Sequence, residues 1–167
     1  MKLKPIRITI IVAVNKNDVI GDNGSIPWHE PADLKHFAET VKNKVVICGR
    51  ETLQSLPSKY ETQRTIVLTR RPSRISHYKV QYARTLFAGL TKARNIINDL
   101  KLSNEIFIIG GGMVYEAAMP LAHKMIISRI NNYAQGDTKF PDFDKNEWEM
   151  EAMTSYSNFE VFYLTRK

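Results

Sequence analysis

Chemistry is most readily seen around Asp33, in the stretch Ile26-Pro27-Trp28-His29-Glu30-Pro31-Ala32-Asp33-Leu34-Lys35-His36-Phe37. Pro31 suits the first turn of a helix, where its missing N–H is not needed. Leu34, Phe37, Ala38 and Val41 then recur at i, i+3, i+4 and i+7, the apolar stripe of an amphipathic helix. Lys35, Glu39 and Lys42 fall on the watery side. Asp33 lies at the border of the stripe, so its carboxylate is expected beside apolar surface. Just upstream, Gly21-Asp22-Asn23-Gly24-Ser25 is rich in residues that tolerate unusual backbone angles. A movable loop beside a carboxylate in an apolar wall is the pattern of a covered acid site. On this stretch alone the more economical reading is that Asp33 complements the helix dipole from the first turn.

Other candidates sit where apolar strands end: the loop after Val14, Gly49-Arg50-Glu51-Thr52 after Cys48, and Gly110-Gly111-Gly112 after Ile109. Glycines between a buried strand and a helix let backbone N–H groups approach a phosphate. The run is neither a G-x-G-x-x-G fingerprint nor a P-loop, and tight strand-to-helix packing explains it equally. Arg50 strengthens the phosphate reading through its planar, forked donors, and Arg70 and Arg71 follow another strand end. A ligand with an extra phosphate, NADP rather than NAD, suits them. His29, Asp33 and His36 contain no H-E-x-x-H, so no metal is expected. Cys48 lies inside an apolar strand, where thiols are usually inert, and no G-x-S-x-G occurs.

The elements that must position these groups alternate. Strands are expected over residues 6–14, 44–48, 65–69, 79–82, 106–109 and 125–130. Helices are expected over 31–42, 51–56 (broken at Pro57), 87–100 and 113–119. Two further strands, 148–154 and 159–165, read as an antiparallel pair. The fold class is therefore α/β: a mostly parallel central sheet of about eight strands, an antiparallel C-terminal edge and flanking helices. In such a sheet ligands bind at the carboxyl ends of strands. The 167 residues, 43% hydrophobic and 25% charged, fit a single domain over 1–167. No apolar run approaches a membrane span. One cysteine and no evident signal sequence point to the cytoplasm, and monomer is the default. Lys and Arg outnumber Asp and Glu by 24 to 17, a formal +7. The densest basic group (Arg64, Arg70, Arg71, Arg74) lacks interleaved aromatic residues, which favours anionic metabolites over nucleic acid.

The ordered set of motifs resembles the dihydrofolate reductase family. It comprises Val12-Ala13-Val14 with Val19-Ile20-Gly21, Ile26-Pro27-Trp28 with Pro31-Ala32-Asp33-Leu34 and Phe37, and Gly49-Arg50-Glu51-Thr52. Ile109-Gly110-Gly111-Gly112 with Tyr115 and Gly136-Asp137-Thr138-Lys139-Phe140-Pro141 complete it. The resemblance implies a dihydrofolate-reductase-like fold and NADPH-dependent reduction of 7,8-dihydrofolate to tetrahydrofolate, and so a target for antifolate small molecules. By that match Asp33 binds the pterin, Trp28 orders a water near it, and Ser128 supports the carboxylate. Val12, Ala13, Leu34, Phe37 and Leu56 would line the pterin and benzoyl pocket. Ala13, Ile20, Gly21, Ile109, Gly110, Gly111, Gly112, Met113, Tyr115 and Thr138 would hold the nicotinamide half of the cofactor. Gly49, Arg50, Thr52, Leu68, Thr69 and Arg70 would take its phosphates and adenosine end. A cis Gly110–Gly111 peptide and a loop tied shut by Asp137 are also implied.

The match departs from the family at the substrate's glutamate carboxylate. The gripping arginine's position holds Gln63, and Arg64 comes one residue late, which on a strand faces the opposite way. Either a bulge swings Arg64 in, or Gln63 and Lys59 make the grip. Glu51, beside Arg50, would repel a 2′-phosphate if it faced the site. Two alternatives to this activity are a same-fold NADPH-dependent reductase of a ribosylated pyrimidine in riboflavin synthesis, and a basic nucleic-acid-binding domain.

Overall fold

The computed structural model describes residues 5–56, 62–72 and 79–167; Pro57, Lys59 and Arg74 lie outside them. In chain order the strands are β1 (Arg7–Val14), β2 (Val19–Gly21), β3 (Val45–Gly49), β4 (Arg64–Leu68), β5 (Val80–Ala83), β6 (Glu105–Ile108) and β7 (Lys124–Ile130). They end with β8 (Thr138–Lys139), β9 (Trp148–Ser155) and β10 (Phe159–Arg166). The helices are α1 (Pro31–Val41), α2 (Arg50–Ser55), α3 (Leu86–Leu100) and α4 (Gly112–Ala118).

Eight strands form one sheet in the order β5-β4-β3-β6-β1-β7-β10-β9. Every pair from β5 to β7 is parallel, and β10 pairs antiparallel with both β7 and β9. This is the expected α/β architecture. β1 sits inside it with both faces covered: Ile10, Val12 and Val14 join one apolar cluster and Ile11 the other. Burial on both sides is why its alternation gives way to a continuous apolar run.

The first cluster lies under α3 and α4, through Ala93, Ile97, Val114 and Ala118. The Thr85 hydroxyl caps α3 by accepting from Ala88 N–H at 3.1 Å. The second cluster lies under α1 and α2, through Val41, Phe37 and Leu53. The sheet thus separates two layers, and the loops at its carboxyl end meet above β1, β3 and β6.

The β3–β4 ladder runs evenly from Val45↔Arg64 to Gly49↔Leu68. No bulge turns Arg64 toward α1. It keeps the parity of Ile66 and Leu68, which belong to the cluster under α3, and its Nη1 donates to Gln63 O at 2.7 Å. That corrects the bulge expected from the sequence.

β2 and β8 were not expected as strands. They pair antiparallel, Val19↔Lys139 and Gly21↔Thr138, and three and two residues are too few for any periodicity to register. Among the described residues no helix is long and apolar enough to cross a membrane.

Candidate active site

A cavity of about 830 Å³ opens between α1, the loop before it, and the start of α4. Asp33, Leu34 and Phe37 form one wall, from consecutive turns of the α1 stripe. Leu34 and Phe37 stay only half-buried because they face this space rather than the sheet. Opposite stand Ile109, Gly110, Gly111, Gly112 and Tyr115. Ala13 and Ser128 are register partners on β1 and β7 and form the floor between the walls.

Asp33 is 8% exposed, one of the few buried polar residues described. Burial pushes its carboxyl above the ordinary carboxylate range. The Ser128 hydroxyl bonded to it and the nearby His36 pull the other way, and Glu30 adds to the rise. Of the two opposed effects open at sequence level, burial prevails over the helix N-terminus.

The glycine run makes the opposite wall bare backbone. The Gly110–Gly111 peptide is cis and Gly110 has φ +123°, a region side chains rarely adopt. A methyl on Gly110 would stand 3.3 Å from Thr52 Oγ1 and from Tyr115 Oη. Tyr115 is buried; its hydroxyl, pushed up by burial, stays protonated and donates to Ile11 O at 2.7 Å. Gly49 N–H donates to Gly110 O at 2.8 Å, joining the ends of β3 and β6.

The loop over the cleft is held at three points. Buried Asn15 donates to Ala134 O (2.8 Å) and Asn132 Oδ1 (3.1 Å), and accepts from the Val19 and Asn17 N–H groups. Asn23 and Gly24, both with positive φ, turn the chain between Asp22 and Ser25 as a two-residue hairpin. The Asn23 N–H then donates to Asp137 Oδ2 at 3.0 Å, while the Thr138 hydroxyl donates to Oδ1 at 2.8 Å. These donors, Asn23 foremost, hold the Asp137 carboxyl below its ordinary value.

Most residues singled out in the sequence converge here. Val12, Ala13, Ile20, Gly21, Asp33, Leu34, Phe37, Thr52, Leu56, Ser128 and Thr138 all line the cleft with the glycine run and Tyr115. Trp28 packs half-buried against the cluster beneath α1. Arg50 and Arg71 line a smaller neighbouring cavity over Val67, Val80 and Tyr82. Thr69 Oγ1 accepts from Arg71 N–H at 3.1 Å, Arg70 is exposed, and Leu68 packs under α3. Met113 is 86% exposed. Gln63 and Arg64 are not on the cleft wall, whereas Glu51 is. Sequence reasoning gave Asn15 and His36 no such role. Only the i, i+3 spacing from Asp33 could have flagged His36.

A family model described as dihydrofolate reductase matches residues 7–163. A type 3 dihydrofolate reductase of Salmonella typhimurium is 36% identical over 148 residues, covering 88% of this chain and 86% of that protein. The dihydrofolate reductase of Buchnera aphidicola (subsp. Baizongia pistaciae) is 37% identical over 144 residues, covering 86% and 82%. Among solved structures, dihydrofolate reductase from Enterococcus faecalis complexed with NADP(H) and RAB-propyl superposes with a TM-score of 0.79. It is 27% identical, and the match covers 96% of each chain.

Proposed function

The chain belongs to the dihydrofolate reductase family, and we propose that the cleft beside Asp33 is where its reaction takes place. It is an NADPH-dependent oxidoreductase that reduces 7,8-dihydrofolate to 5,6,7,8-tetrahydrofolate, with hydride arriving at C6 and a proton at N5. The observation that carries the site assignment is a buried carboxylate, bonded by Ser128, facing bare glycine backbone across one cavity.

NADPH supplies the hydride when bound, and the residues present fit it. Gly110, Gly111 and Gly112 leave open a strip of wall that a Cβ on Gly110 would crowd, and no side chain caps the first turn of α4. Ala13, Ile20, the glycines, Tyr115 and Thr138 would hold its nicotinamide half; Arg50, Thr52, Thr69 and Arg70 would meet the phosphates. Asp33 accepts two parallel N–H bonds, from the pterin 2-amino group and N3, and so fixes the ring's tilt. Such charge-assisted bonds strengthen where water is excluded. The carboxylate polarises the pterin toward protonation at N5, and water admitted past the loop is the proton source. Leu34, Phe37 and Leu56 offer apolar contact to the rest of the substrate, and inhibitors shaped like the pterin compete for the same wall. We read the chain as a cytoplasmic monomer. Its single thiol, Cys48, is buried in β3 and pushed up to about 12, which suits a reducing compartment.

Asp33→Asn keeps size and loses the charge. Turnover of dihydrofolate should fall about 10²–10⁴-fold, followed by loss of cofactor absorbance, while NADPH binding measured by fluorescence titration stays within twofold. Equal damage to both would make Asp33 a structural residue and defeat the assignment.

A further inference from the structure

His36 is the second titratable side chain on the α1 wall of the cleft, and the reaction as derived gives it nothing to do. It follows Asp33 by three residues, a spacing that sets side chains about 5–6 Å apart at their Cβ atoms on one helix face. Its Nε2 lies 3.2 Å from the Tyr163 hydroxyl on β10, and its ring meets Tyr156 edge-on with centroids 6.4 Å apart. Tyr156 is in turn stacked on Phe159, 4.3 Å between centroids and 7° between planes. The antiparallel edge of the sheet therefore grips an imidazole that α1 presents to the cleft.

We propose that His36 is a positioning residue for the reaction: tethered by Tyr163 one turn from Asp33, its imidazole keeps that carboxylate charged as the pH falls. This rests on Asp33 being the pterin-binding acid. Imidazoles as a class take up a proton at higher pH than carboxylic acids. The cation therefore forms before the carboxylate is lost, and an opposite charge at this range favours the ionised acid. Tyr163 makes the device workable. Its hydroxyl, pushed up by burial and stays protonated, donates to the neutral ring and rotates to accept from the charged one. Charging His36 thus forfeits no hydrogen bond. The other titratable groups around the pair are Glu30 ahead of α1, Tyr115 from α4, Tyr156, and Lys124, whose ammonium lies 5.8 Å from the Tyr163 ring centroid. Glu30 opposes ionisation of Asp33, and the Asp33 charge bears on Tyr115. Among the causes that act on Asp33, His36 is the only titratable group that favours its charge.

The test is the titration of the Asp33 carboxyl in the whole protein, read by NMR after 13C-carboxyl aspartate labelling, its resonance identified by loss in Asp33→Asn. In His36→Gln, which retains a hydrogen-bonding group but never charges, the midpoint should rise by about half to one pH unit. In Tyr163→Phe, which frees the ring, it should rise by less. The acid limb of kcat/KM for dihydrofolate should move up in parallel. Near pH ~8, where imidazoles as a class are neutral, His36→Gln should match the parent. A midpoint in His36→Gln coincident with the parent overturns the proposal, as does turnover lowered equally at every pH, the mark of a packing role. Absence of dihydrofolate turnover in the parent would instead defeat the assigned reaction, and the carboxyl titration would still judge the pair.

Discussion

Asp33 and Asp137 line the same cleft under opposite electrostatic conditions. Asp33 sits on a helix against apolar clusters, and burial raises its pKa despite the Ser128 hydroxyl. Asp137 sits exposed on the rim, and the Asn23 N–H and Thr138 hydroxyl lower its pKa. One acid is held where its charge is least welcome; the other already has its donors in hand. A carboxylate kept ionisable in an unfavourable place has donors to receive from a ligand, whereas a satisfied one serves as a latch. The difference separates the pterin-binding acid from the acid that ties the loop, though both are the same residue type on the same cavity.

The sharpest way to break this contrast is thermal unfolding of ligand-free Asp33→Asn. Because the folded state raises the Asp33 pKa, its contribution to stability is complete below the ordinary value of 3.8 and is lost as the pH rises through the folded value. Removing the charge should therefore raise the neutral-pH midpoint by about 2–4 °C, a gain that shrinks on acidification. A lower midpoint at neutral pH would mean that the buried charge stabilises the fold. The sign for Asp137 is reversed: its contribution is present above the ordinary value and is lost as the pH falls through the lowered one.

A smaller effect is expected where the latch is anchored. A Cβ on Gly136 would run into the Val19 side chain and the Gly21 carbonyl, the strand that β8 holds. Gly136→Ala should cost about 1–3 kcal/mol in urea unfolding; an unchanged midpoint would show the β2–β8 pair to be loose. The smallest effect belongs to Asp137→Asn, which weakens exposed bonds only. NADPH should dissociate about two- to fivefold faster in stopped-flow, with the thermal midpoint unmoved. A large loss of stability there would erase the distinction between latch and buried acid.

Local patterns made much of this legible. The apolar run of β1, the α1 stripe behind Pro31 and the triple glycine after Ile109 each state their own structure, because periodicity and backbone freedom are properties of neighbouring residues. The cleft residues named from the resemblance converge for the same reason: each sits at the end of an element whose type the sequence spells out. Arg64 was misjudged because facing is a matter of register with β3, and an even ladder left it on the α3 side.

What the sequence determined by itself was the α/β order, the two-sided burial of the central strands and the placing of an acid at the margin of an apolar helix face. What only the tertiary structure decided was electrostatic and long-range. Val19 and Lys139, His36 and Tyr163, and Asn23 and Asp137 are each separated by more than a hundred positions. Whether burial or a neighbouring charge governs an ionisable group depends on what the completed fold brings near it, and that is set by packing between elements rather than by any spacing along the chain.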